Sequence, residues 1–71
     1  MHQEIVSDLV ANVIKIMVSA GDKVDAGDTI ALLESMKMEI PVLAEEPGTV
    51  SEINVAEGDV VQEGDVLAVV D

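Results

Sequence analysis

The chain has 71 residues, enough for one small core but too few for a second domain or a deep cleft. With no cysteine, neither a disulfide nor a thiolate zinc site can staple it, and the redox compartment stays open. Three basic residues against fifteen acidic ones give a net charge of −12, which argues against charge-driven binding to nucleic acid or an anionic membrane and leaves solubility, or attraction to a basic partner enzyme.

Thirteen valines, six isoleucines and five leucines, with no Phe, Tyr or Trp, favour strands around a thin core. Gly-Asp pairs recur and the helical apolar period of about 3.6 residues is missing, so no long helix is expected. The apolar runs are short and the N-terminus lacks a basic-then-apolar signal pattern. A soluble, cytoplasmic protein, neither exported nor membrane-spanning, is expected.

In chain order, Met1 to Gln3 are expected to fray, and the lone His2 there is assigned no role. Strand signals cover Glu4 to Ser7 and Ala11 to Val18. Turns at Gly21-Asp22 and Gly27-Asp28 flank a short strand and lead into a strand from Ile30 to Ser35, followed by another from Met38 to Leu43, with Pro41 expected at a sheet edge. Pro47-Gly48 turns the chain into a strand from Thr49 to Val55, and Gly58-Asp59 and Gly64-Asp65 repeat the earlier turns. Glycine supplies the positive φ of each turn and aspartate caps it. Asp22, Asp25 and Asp28 have neither the spacing nor the twelfth-position glutamate of a calcium loop, so they are read as structural and no metal site is assigned.

An offset of 37 exposes an internal repeat. Val18 to Glu34 align with Val55 to Asp71, seven of the seventeen pairs are identical, and the register continues upstream to pair Val13 with Val50 and Ile16 with Ile53. Two 34-residue units, 1–34 and 38–71, therefore flank a junction at Ser35, Met36 and Lys37. Two copies are too few for a solenoid, so they must bury their faces together. The expected fold is all-β: a flattened eight-stranded barrel-sandwich hybrid with quasi-twofold symmetry. Ile16, Val18, Leu33, Ile40, Val42, Ile53, Val55, Ala68 and Val70 are expected to face inward.

Lys37 stands out as one of three lysines in a chain without arginine, at the repeat junction and between Met36 and Met38. A tight hairpin centred on Met36 and Lys37 would set Ser35 opposite Met38, Glu34 opposite Glu39 and Leu33 opposite Ile40. Such a turn needs positive φ without the usual Asn or Gly, so strain at Met36 or Lys37 is expected. Lys37 would be the nearest cation to the facing glutamates. Acidic neighbours favour its ammonium form, the wrong direction for a Schiff-base nucleophile, so Lys37 reads as a substrate for modification rather than a catalyst. Met36 and Met38 are open to two readings, strand-edge core or exposed contacts for a docking enzyme.

The stretch Glu34-Ser35-Met36-Lys37-Met38-Glu39-Ile40, with the paired Gly-Asp turns and Pro47-Gly48-Thr49-Val50, resembles the biotinyl domain, the biotin carboxyl carrier module of biotin-dependent carboxylases. The resemblance covers essentially all of 1–71 and implies a single biotinyl domain. It implies biotin joined covalently to Lys37 by a biotin protein ligase, with Met36 and Met38 as flanking recognition residues and Glu34, Ser35 and Glu39 as the hairpin surroundings. It further implies two partner enzymes: a biotin carboxylase that uses ATP and bicarbonate to load the carboxyl group, and a carboxyltransferase that passes it on. The domain itself would be non-catalytic, a carrier whose cofactor holds the chemistry.

Three features depart from the common pattern of that family. Ser35 stands where alanine is usual, a small-for-small change, and the gapless alignment of the halves leaves no room for the "thumb" insertion of some members. No Pro- and Ala-rich linker is present, so the chain reads as a free-standing small carrier or an excised domain. The rivals are a lipoyl-type carrier, which typically has Asp and Ala where Met36 and Met38 stand, and an unmodified scaffold domain of the same fold.

Overall fold

The computed structural model describes residues 3–71; the expectations for Met1 and His2 lie outside the described residues. Eight strands follow one another: β1 (Gln3–Val6), β2 (Ala11–Ile16), β3 (Lys23–Val24), β4 (Thr29–Ser35), β5 (Met38–Leu43), β6 (Gly48–Ile53), β7 (Val60–Val61) and β8 (Val66–Val70). The two halves match strand for strand, and six residues separate both β2 from β3 and β6 from β7, which leaves no inserted thumb. Gln3 is not frayed. It opens β1, and its side chain donates to the Glu46 carbonyl at 2.9 Å and accepts from the Glu45 amide at 3.2 Å.

The strands form two four-stranded sheets, β1-β8-β6-β3 and β5-β4-β2-β7. Shifting each strand by 37 residues, up for β1 and β3 and down for β8 and β6, converts the first order into the second, so the repeat is a quasi-twofold axis. Each sheet draws two strands from each half. Each half alone supplies only one two-stranded pair, β2-β4 or β6-β8, to the four-stranded sheets, and this interleaving replaces the missing disulfide as a staple.

The Gly-Asp turns carry the chain between sheets. Strand signals ran on to Val18 and Val55, but β2 and β6 stop at Ile16 and Ile53. The amides of Met17 and Asn54 make one last bond each, to the Ile30 and Leu67 carbonyls, before the chain leaves for the opposite sheet. There the Gly21 amide reaches the Val50 carbonyl at 2.7 Å and the Gly58 amide reaches that of Val13 at 2.8 Å. Both glycines have φ above 90°, a region closed to most side chains. All four aspartate carboxylates accept from the backbone amide three residues earlier at 2.8–2.9 Å, from Ser19, Asp25, Ala56 and Gln62. The aspartates thus serve their own turns, as their spacing implied.

Two buried clusters fill the space between the sheets. One gathers Ile5, Val24, Ile30, Ala44, Val50, Ala68 and Val70; the other gathers Ala11, Val13, Leu33, Val61 and Leu67. All nine residues expected to face inward belong to these clusters or pack against them. Pro41 lies exposed on β5, an edge strand, where its missing N–H costs no ladder bond. Among the described residues, no helix is long and apolar enough to cross a membrane.

Gly48 is fixed by space. A Cβ there would lie 2.5 Å from the Asp71 carbonyl oxygen and 2.7 Å from a Val70 methyl. Thr49 and Asp71 exchange both backbone hydrogen bonds at 2.8 Å, so the obstructing carbonyl cannot yield without breaking the ladder. Gly48→Ala is expected to cost about 1–3 kcal/mol by overpacking, read as a lower urea midpoint at unchanged slope.

Candidate functional site

The β4–β5 hairpin carries the residues singled out at the repeat junction. Its register pairs Leu33 with Ile40, Glu34 with Glu39 and Ser35 with Met38, as the sequence implied. Only Met36 and Lys37 remain for the turn, and their φ values are 54° and 66°. Positive φ at both central positions is the mark of a type I′ hairpin turn, whose backbone twist matches that of the flanking strands. A non-glycine residue in this conformation costs roughly 1–2 kcal/mol. The strain falls on the two residues that the motif puts at its centre.

The anchor of the tip is apolar. Leu33 is fully buried against Val13, Val61 and Leu67, and Ile40 beside it packs on the same cluster. Beyond that rung the hairpin leaves the core: Met36 is 91% exposed and Met38 is 63% exposed, while Lys37 is also exposed. The strand-edge-core reading of the methionines does not hold at these exposures. They form apolar surface on either side of the amine, in reach of a visiting protein and without a share in the core.

Glu34 and Glu39 do face each other, but among the described residues no ion pair joins Lys37 to either. An exposed pair of this kind gains at most about 1 kcal/mol, too little to hold a long side chain against the hairpin. The amine is left clear of its own protein, which suits attachment of a large acyl group. The other two lysines lie off the tip: Lys15 is on β2 opposite Leu32, and Lys23 is on β3 in the other sheet.

With this geometry in view, the sequence model of the family described as "Biotin-requiring enzyme", the biotin/lipoyl attachment family, matches residues 4–70. The chain belongs to the biotin/lipoyl attachment family. Among its relatives, the "Biotinylated protein TB7.3 homolog" of Mycobacterium leprae is 50% identical over 70 residues, covering 99% of both chains. The "Biotin/lipoyl attachment protein" of Bacillus subtilis is 51% identical over 51 residues, 72% of this chain and 70% of that one. In three dimensions, the urea carboxylase of Kluyveromyces lactis matches all of this chain at a TM-score of 0.93 and 34% identity, but this chain spans only 6% of that enzyme. Family membership makes this a biotin carrier domain, the kind that holds a group for carboxylase components rather than catalysing a reaction of its own.

Proposed function

We propose that Lys37 is the attachment point, its Nζ joined to the biotin carboxylate in an amide by a biotin protein ligase, and that residues 1–71 act as one biotinyl domain. The observation that carries this reading is the strained two-residue tip, which holds an exposed amine between two exposed methionines. Met36 and Met38 offer apolar contacts to the ligase, Glu34 and Glu39 offer acceptors to a basic partner, and Ser35 closes the last rung of the ladder.

Once attached, biotin supplies the carboxyl-accepting ring. The protein's own part is mechanical. The tip stands clear of the core, so the lysine side chain and its acyl extension can enter the active site of a biotin carboxylase and then that of a carboxyltransferase. Tethering on one carrier keeps the group at high effective concentration near both. The cytoplasm is the compartment that fits this traffic. Lys37→Arg keeps the charge and removes the acylable amine, so co-expression with ligase is expected to give no biotin signal on a streptavidin blot. Undiminished signal in that variant, arising at Lys15 or Lys23, would refute the assignment.

A further inference from the structure

The quasi-twofold axis provides an internal control, because each outward position on one sheet has a structural equivalent on the other. Cross-strand pairing defines the outward set. On the sheet that carries the tip, Leu33, Ile40 and Val13 point into the core, so Leu32, Pro41 and Lys15 point out, with Ile14 beside Lys15 at the bulge. Val60 and Leu43 extend this face to either side, 62% and 46% exposed. The equivalent positions on the other sheet, lower or higher by 37, are Val69, Glu4, Glu52, Ser51, Lys23 and Val6.

The two faces differ in kind. Where the far sheet has Glu4, Ser51 and Lys23, the tip-bearing sheet has Pro41, Ile14 and Val60. Glu52 of the far sheet is replaced by Lys15. The same backbone thus tolerates a polar surface at these places, and folding does not explain the apolar one. In a chain of net charge −12, it is the tip-bearing sheet whose middle rows lack an acid. Acids return at the rung next to the turn, as Glu34 and Glu39, and at the far end of β2, where the Glu57 carboxylate accepts from the Ile16 amide at 3.3 Å.

We infer that this outer face is a docking surface for the enzyme that carboxylates the carrier, a protein with an apolar patch flanked by basic residues that meet Glu34 and Glu39. The inference rests on the carrier reading of Lys37 and names the surface through which that carrier is held. Continuity supports this occupant, because the face runs along β4 and β5, across the Glu34–Glu39 rung, to Met36 and Lys37. A protein that encloses the tip from that side covers it. Charge supports it as well. A second copy of this chain would bring another −12 and be repelled, and the same sign disfavours nucleic acid and anionic lipid.

The test exchanges residues between equivalent positions. One variant, Ile14→Ser, Pro41→Glu and Val60→Lys, gives the tip-bearing face the residues that the far face already folds with. The reciprocal variant is Ser51→Ile, Glu4→Pro and Lys23→Val. The first adds one charge of each sign and the reciprocal removes one of each, so net charge is unchanged in both. Both are loaded with biotin and checked by intact mass, then supplied to the biotin carboxylase of the same host with ATP and bicarbonate. The first variant is expected to load normally but to show a KM as carrier at least about tenfold higher, the loss of about 1.4 kcal/mol of binding, while the reciprocal variant stays near the parent. A KM within twofold of the parent for the first variant, or an equal rise in both, overturns the inference. Failure of the parent itself to take up biotin would instead overturn the carrier reading, and the mass measurement separates the two cases.

Discussion

Leu33→Ala is expected to destabilise the protein by about 2–5 kcal/mol, the range for truncating a fully buried leucine. A chain of this length has a total stability of roughly 4–11 kcal/mol, so the variant stands close to unfolding. The size of the effect follows from what surrounds the side chain. Leu33 has no exposed surface, and the cluster around it is Ala11, Val13, Val61 and Leu67, with no aromatic ring to settle into the space left behind. It also pairs with Ile40 at the base of the tip, so the rungs above it, Glu34 with Glu39 and Ser35 with Met38, lose their anchor. Leu33→Val is the informative companion, since Val70 occupies the equivalent place in the other half. It is expected to cost only about 1 kcal/mol. Urea denaturation checks both; equal midpoints for Leu33→Ala and the parent would contradict this account of the core.

Met36→Gly is expected to separate stability from function. Glycine relieves the roughly 1–2 kcal/mol that a side chain costs at a φ of 54°. Against this stands the added freedom of glycine in the unfolded chain, about 0.5–1 kcal/mol. The balance runs from neutral to about 1.5 kcal/mol of stabilisation, so the melting temperature is expected to hold or rise. Biotin loading is expected to fall on the order of tenfold in kcat/KM, because Met36, 91% exposed, is the larger of the two apolar contacts that the tip offers and glycine leaves Met38 alone. A loss of stability together with unchanged loading would reverse the roles given to strain and side chain.

The repeat made much of this fold legible. An offset of 37 fixed the number of strands, the equal connections and the position of the tip, and the absence of Asn or Gly between Ser35 and Met38 revealed the strain at Met36 and Lys37. The partition into sheets was not readable. A two-copy repeat states that the halves are equivalent, but β8 could pair with β6 of its own half or with β1 of the other on the same pattern, and it does both. The core was legible only in part because bulges break the alternation. Ile30 and Ala31 are both buried beside an irregular rung, and Leu67 to Val70 are four buried residues in succession. The contrast between the outer faces was present in the sequence as the pairs Glu4 with Pro41, Ser51 with Ile14 and Lys23 with Val60. It carried no meaning until the pairing showed which side of each strand faced out.

The central claim is that one amine, at a strained tip, bears the cofactor. The most direct measurement is the intact mass of the protein isolated after co-expression with its ligase, followed by fragmentation to locate the added group. The account predicts a single biotinyl increment confined to Lys37. A lipoyl increment, an increment on Lys15 or Lys23, or an unmodified Lys37 under conditions that load a known biotin carrier would contradict it.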